Sequence, residues 1–249
     1  MGIYEYESII STRPKNAIAG STCYNGRMKT GGDTATSIGI IMDGNRRWAK
    51  AQGLQPWEGH KAGVDVFLDT VSWLEKTDVE HAAFYVFSSE NWKRSEQEVE
   101  EIMKLLSHML TDRYAEIIEK QIRVRFIGTL ERLPKILQKH MKRLEDETIH
   151  HTRTAWICLS YGGRDELQSA ARKISSLFGK FEQNLWSAEL PDLDLVIRTG
   201  GNKRLSNFLL WKSAYAELYF TDILWPDFTK EELGKALYAY ETSTQNMGA

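Results

Sequence analysis

Cysteine is nearly absent from this sequence: only Cys23 and Cys158 occur, far apart and without metal-ligand spacing. That excludes a disulfide scaffold and a cysteine-rich metal site, and suits a reducing cytoplasm. Proline is also sparse, with 5 in 249 residues, too few for a proline-rich linker. No apolar run approaches the roughly 18 residues needed to span a bilayer, and the N-terminus lacks the compact apolar core of a signal peptide. The formal net charge is only −2, so no basic field points to nucleic acid. Neither the P-loop spelling nor a dinucleotide glycine fingerprint is present, which argues against ordinary nucleotide chemistry. What remains is the composition of a soluble globular protein, 42% hydrophobic and 27% charged, long enough for one substantial core.

Residues 1–37 are polar and rich in Gly, Ser and Thr, and read as a flexible leader. Residues 38–241 then read as a single domain, with 242–249 as a C-terminal tail. Short apolar runs rich in β-branched and aromatic residues fall at 37–42, 82–88, 122–127, 154–160 and 193–199. Their near-continuous apolar character predicts strands buried on both faces, as in a parallel sheet. Between them, apolar residues at helical spacing predict helices over roughly 58–76 and 95–120. Ser95 and Glu98 spell a capping box at the start of the second, and Pro134 opens a third. Alternation of strand and helix predicts an α/β fold with a mostly parallel central sheet flanked by helices.

Three segments carry candidate chemistry. Asp43 ends the first predicted strand, and Gly44, Asn45, Arg46 and Arg47 open a helix beside it. Ligands bind at such carboxyl edges. Here Asp43 offers a hard oxygen for Mg²⁺, while backbone N–H groups and the two arginines suit a diphosphate. Ser88, Ser89, Glu90, Asn91, Trp92 and Arg94 follow the second strand to the same edge, with hydroxyls, an amide and a guanidinium for phosphate oxygens and a flat indole face. Arg198, Lys203, Arg204 and Ser206 follow the last strand around Gly200 and Gly201 and supply donors for a second diphosphate, with Leu205 among them as a further substrate-binding candidate. Five positive side chains (Arg47, Arg94, Arg198, Lys203, Arg204) gather with no acidic partners at matching spacing, which implies an anion. Taken singly, each segment has a plainer reading. Asp-Gly is a turn, Arg-Arg a solvated helix face, Ser-Ser-Glu-Asn a loop, and Glu217 a strand residue facing solvent.

In combination the motifs are more specific. MDGNRRWAK (42–50), EGHKAG (58–63), FSSENWKR (87–94), RVRFIG (123–128), LSYGGRDEL (159–167) and the long stretch 194–228 occur in that order. This series resembles the cis-prenyltransferases, the undecaprenyl diphosphate synthase or Z-isoprenyl diphosphate synthase family, over about residues 38–230. The resemblance implies Mg²⁺-dependent condensation of isopentenyl diphosphate onto an allylic diphosphate such as farnesyl diphosphate, with product growing into an apolar tunnel. It implies Asn45, Arg47 and Arg94 on the allylic diphosphate, Arg198, Arg204 and Ser206 on isopentenyl diphosphate, and Asp43 with Glu217 on the metal. Trp48 and His60 match further active-site positions, and Asn91 matches a residue associated with proton removal, although an amide is a poor base. Leu68, Val86, Met103, Leu106 and Leu110 are the expected tunnel lining. A homodimer, cytoplasmic and in peripheral contact with the membrane, is implied as well.

The sequence departs from that family in three places. Pro56 stands where many relatives carry a phosphate-binding Arg, while Arg46 stands where many carry Gly. The segment between YGGRDEL and LVIRTGG is short, so the helix after Arg164 is expected to be truncated. The terminal residues ALYAYETSTQNMGA lack the basic Arg-x-Gly type of tail. That leaves open a catalytic subunit that borrows a partner's tail in a heteromer, or an inactive isoprenoid-binding homologue.

Overall fold

Six parallel strands form one sheet in the order β3-β4-β2-β1-β5-β6 in the computed structural model, which describes residues 34–174 and 180–243. Most of the expected leader and tail lie outside the described residues. The strands are β1 (Ser37–Ile41), β2 (His81–Ser88), β3 (Arg123–Ile127), β4 (Thr154–Tyr161), β5 (Leu195–Arg198) and β6 (Glu217–Phe220). The helices are α1 (Asn45–Ala51), α2 (Pro56–Leu74), α3 (Glu96–Asp112), α4 (Tyr114–Glu119), α5 (Lys135–Thr148), α6 (Gly163–Lys173) and α7 (Lys230–Thr242).

The continuous apolar strands follow from burial on both faces. On one face Ile38, Ile40 and Phe84 pack with Leu68 and Val71 of α2, Ile102 and Leu106 of α3, Leu144 of α5 and Leu233 of α7. On the other, Ile41, Ala83, Trp156 and Val196 meet Leu190, Leu193, Phe208 and Leu209. Gly39 lies where no side chain fits, since a Cβ would sit 2.7 Å from Phe208 and 2.8 Å from Leu193.

The register places the site. Ile41 pairs with Tyr85 on one side and Arg198 on the other, so the segments after β1, β2 and β5 leave the sheet side by side at its carboxyl edge. The β2–β4 ladder shifts register on either side of Phe87, a bulge beside the cleft that re-aims Ser88. Gly59 lets α2 cross directly over α1, because a Cβ there would lie 2.0 Å from the carbonyl oxygen of Asn45.

Two local expectations are corrected. The helix expected over 95–120 breaks at Arg113 (φ −101°, ψ 12°), whose guanidinium reaches Asp65 on α2 and Glu116 on α4. The Ser95–Glu98 capping box forms only in half. Ser95 Oγ accepts the Glu98 N–H at 3.3 Å, but the Glu98 carboxylate turns away to arginines at the cleft. The sheet also has β6, an edge strand beyond the five predicted runs.

Candidate active site

Asp43 follows β1 at the centre of the carboxyl edge and borders two adjoining clefts, of about 680 and 770 Å³. Arg198 Nη2 donates to its Oδ2 at 2.9 Å, Asn202 Nδ2 to the same oxygen at 2.8 Å, and Arg47 Nη2 to Oδ1 at 3.3 Å. Burial alone would raise the Asp43 carboxyl. The hydrogen bonds from Arg198 and Asn202, with the charges of Arg198 and Arg47, outweigh it and hold the group below the usual carboxylate range.

Arg198 is buried at 4% exposure and also donates to the Arg204 carbonyl and, at 2.7 Å, to Ser206 Oγ. Thus one guanidinium ties β5 to Asp43 and to the loop that follows β5. The loop itself turns through Gly200 (φ 79°) and Gly201 (φ 73°). The positive φ of Gly200 and the Asp43 carbonyl oxygen, 3.0 Å from where a Cβ would stand, favour glycine there.

Across the cleft the Glu98 carboxylate, 6% exposed, accepts from Arg94 Nη1 at 2.9 Å, with Arg46 Nε at 3.5 Å and His60 Nε2 at 3.8 Å. The expected cation cluster therefore does have acidic partners, Asp43 on one side and Glu98 on the other. His60 is pushed down to about 4 by burial, aided by the charges of Arg94 and Arg46. It is a neutral ring at ordinary pH, able to accept from Arg94 Nη1 at 3.2 Å.

The short 3-10 turn Ser89–Lys93 after β2 is fixed by Ser88 and Asn91, which cap one another; Asn91 Oδ1 accepts the Ser88 N–H at 3.0 Å. With its oxygen so engaged, Asn91 presents its NH₂ as the remaining group, a donor. Ser88, Glu90 and Asn91 all line the first cleft, of about 680 Å³, beside Asp43, Asn45, His60, Arg94, Arg198, Arg204 and Ser206. Gly44, Arg46 and Arg47 line the second. Pro56, also on the second cleft, is the first residue of α2, and Glu58 accepts the Gln55 N–H at 2.8 Å in the cap just before it.

Other expected site residues are placed elsewhere. Trp48 is half-buried and donates its indole N–H to Asp227 at 2.8 Å. The Trp92 indole donates to Ser160 Oγ at 2.9 Å, packs edge-on against Phe87 and lies under Arg132, so its surface is already used within the fold. Ser89 lies behind the turn against Gly162. Lys203 is exposed outside both linings, and Leu205 packs into the second core. Glu217 is not brought to Asp43. It pairs with Leu195 at the start of β5, whereas Asp43 lies beyond the opposite end, and its N–H donates to Asp194. The two cannot share one ion within a single chain.

Among the described residues no group of three or more His, Cys, Asp or Glu forms a metal cage. Asp43 alone still fits Mg²⁺, which commonly takes one or two carboxylates and completes its shell with water and substrate phosphate. Sequence reasoning missed Asn202 and Asn207, two amides in the loop after β5 with no local pattern to mark them. It also missed Glu98 as a site residue, because its capping-box spelling explained it away.

Polar groups of both signs thus ring a cleft whose floor is Ile41, Met42, Val86, Phe87 and Ile102. Comparison with known proteins identifies that combination. Residues 41–248 match the family model described as "Putative undecaprenyl diphosphate synthase". The chain belongs to the cis-prenyltransferase family. An isoprenyl transferase of Thermotoga maritima is 41% identical over 223 residues, covering 85% of this chain and 95% of the relative. One from Helicobacter pylori is 40% identical over 227 residues, covering 86% and 97%. Among solved structures, lavandulyl diphosphate synthase from Lavandula x intermedia, in complex with dimethylallyl diphosphate, is 32% identical with a TM-score of 0.82. That match covers 87% of this chain and 99% of the other. In this cis-prenyltransferase the segments after β1, β2 and β5 converge where the strands end.

Proposed function

We propose that this cis-prenyltransferase condenses isopentenyl diphosphate onto an allylic diphosphate, with farnesyl diphosphate as primer, to give a Z-polyprenyl diphosphate lipid carrier. The observation that carries this reading is the division of the cations. Arg46 and Arg47 line one cleft, Arg198 and Arg204 the other, and Arg94 and Asp43 border both, with Ile41, Val86 and Ile102 as apolar lining. Two diphosphates and one hydrocarbon tail suit that arrangement.

Asn45, Arg47 and Arg94 would hold the allylic diphosphate, and Arg198, Arg204 and Ser206 the isopentenyl diphosphate. The double bond of isopentenyl diphosphate then attacks the allylic carbon. A carbon–carbon bond forms, the allylic carbon–oxygen bond breaks, and diphosphate leaves with the electron pair. Loss of a proton from the added unit to the departing diphosphate makes the new cis double bond. Asn91, as a donor, orients a diphosphate oxygen for that transfer. Binding of both substrates in one geometry and neutralisation of leaving-group charge supply the catalysis. Mg²⁺, held through Asp43, would add charge to that neutralisation.

The growing chain would run from Val86 and Ile102 between α2 and α3, past Leu68, Met103, Leu106 and Leu110, four residues buried in the core. An apolar cavity of about 20 Å³ touching Leu68 and Leu110 lies among these residues and supports that path. Its volume holds about one water molecule, so α2 and α3 must separate as the product grows. We also propose a homodimer in the cytoplasm with peripheral membrane contact for product release. Exposed Trp211, Tyr215 and Leu218 near the edge strand support a protein partner. The described residues contain no helix long and apolar enough to cross a membrane.

The test is incubation with farnesyl diphosphate, labelled isopentenyl diphosphate and Mg²⁺, followed by butanol extraction and separation by chain length. Labelled polyprenyl product that disappears with EDTA is expected. No product from folded protein would overturn the self-sufficient enzyme and leave a partner-dependent subunit or an isoprenoid-binding homologue.

A further inference from the structure

Helix α6 opens at Gly162, which has no side chain with which to cap it. Its first N–H groups are instead taken by Asn207, more than forty residues later. The Asn207 carbonyl accepts from Gly163 at 2.7 Å, and its Oδ1 accepts from the Arg164 backbone at 2.8 Å. Its NH₂ donates to Glu90 Oε1 at 3.0 Å. A single asparagine therefore joins the ends of three strands: the turn after β2, the helix after β4 and the loop after β5.

The backbone is held in an uncommon conformation to do so. Ser206 (φ 49°) and Asn207 (φ 67°) are consecutive left-handed residues, a state that persists only where surrounding contacts fix it. The Tyr85 hydroxyl supplies one such contact, its single proton shared between the Tyr161 carbonyl at 3.2 Å and the Ser206 carbonyl at 3.3 Å. Gly162 supplies another by its size, since a Cβ there would lie 2.6 Å from Ser89 Oγ and 2.9 Å from Asn207 Nδ2.

What this clamp presents is Arg164. It sits in the first turn of α6 and lines the first cleft beside Arg198 and Arg204. Arg198 and Arg204 are both hydrogen-bonded within the fold. The Arg164 guanidinium is exposed and has no hydrogen bond or ion pair among the described residues. A cation with no partner among the described residues, held on the wall of a cleft ringed by arginines, is available to a ligand.

We propose that Arg164 is a further ligand for the second diphosphate, and that Asn207 is the positioning residue that presents it. The inference rests on the prenyl-transfer reading of the cleft. Losing one charge-assisted hydrogen bond to a phosphate corresponds to about tenfold in affinity. Arg164→Ala therefore raises the KM for isopentenyl diphosphate about tenfold while kcat changes less than about threefold, because the contact is made equally in ground and transition states. Asn207→Gly keeps the left-handed backbone and removes the side chain, and it raises the same KM.

The deciding experiment is the double-mutant cycle, with folding monitored by thermal unfolding. If Asn207 acts through Arg164, the double variant is no worse than Arg164→Ala to within about twofold. Multiplying effects would overturn the positioning role, and an unchanged KM in Arg164→Ala would overturn the ligand. Where Asn207→Gly does not fold, Arg164→Ala alone decides. Calorimetric titration with isopentenyl diphosphate runs in parallel. A wild type that binds without turnover sinks the reaction reading, while Arg164 is still judged by whether its variant binds about tenfold more weakly or equally well.

Discussion

Arg198, almost wholly buried at the end of β5, donates to Asp43 at 2.9 Å across the carboxyl edge of the sheet. The expected metal-binding carboxylate is thus the counter-ion of an expected substrate-binding arginine. Asp43→Ala leaves that guanidinium buried without its counter-ion, still hydrogen-bonded to the Arg204 carbonyl and Ser206 Oγ. Complete burial would put the cost near 3–5 kcal/mol, but Asp43 faces the cleft, so about 2 kcal/mol of stability is expected to go. Turnover falls at least about a hundredfold with it. Urea denaturation beside a turnover assay measures both, and a variant as stable and active as the parent would refute the pairing.

Glu98 plays the matching part on the other side, where Arg94, Arg46 and His60 converge on one carboxylate. Glu98→Gln removes the charge and keeps the shape. Stability should fall by about 2 kcal/mol, read as a lower urea midpoint at unchanged m-value. A midpoint equal to that of the parent would show the carboxylate to be dispensable.

His60 gives the protein a specific response to acid. Its folded-state pKa is about 4 against 6.5 in an unfolded chain. Between those values the unfolded chain takes up a proton that the folded protein refuses, so stability present above pH 6.5 is lost as pH falls towards 4. The full shift corresponds to at most about 3 kcal/mol. His60→Gln should flatten stability against pH over this window, leaving the acid loss below it to carboxylates such as Asp43, whose pKa is also depressed. A slope identical to that of the parent would contradict a buried neutral His60. Because the ring stays uncharged above about pH 5, kcat should show no inflection attributable to it.

Gly59 tests the packing beneath the site. Its added Cβ would meet backbone, the Asn45 carbonyl at 2.0 Å, and backbone cannot rotate away. Gly59→Ala should cost at least about 2 kcal/mol by thermal or urea unfolding, and should weaken allylic diphosphate binding by displacing Asn45. An unchanged melting temperature would mean that α1 and α2 slide apart freely.

Much of this was legible in the chain because burial on both faces writes itself as unbroken apolar runs. Ser37–Ile41 and Thr154–Tyr161 are buried at every position, and both are visible as runs in the sequence. β6 was not, since Glu217–Phe220 is a short edge strand with Leu218 facing out. The break at Arg113 was hidden because apolar spacing continues through Tyr114 and Ile117 with no Gly or Pro to interrupt it. At the site, residues contiguous with a strand end were readable, as for Asp43, Asn91 and Arg198. Partnerships across the sheet were not. Asp43 and Arg198 are 155 residues apart, and Asn207 caps a helix 43 residues upstream. Only the parallel register brings such groups together, and no local pattern records it. The same register separates Glu217 from Asp43, which motif matching alone had joined.

Pyrophosphate release measured against isopentenyl diphosphate consumed tests the central claim most directly. With Mg²⁺ and farnesyl diphosphate present, one pyrophosphate should appear for each isopentenyl unit consumed, and none when either substrate is omitted. Release from the allylic substrate alone would make the cleft a hydrolase, and no release from folded protein with both substrates would contradict prenyl transfer by this chain.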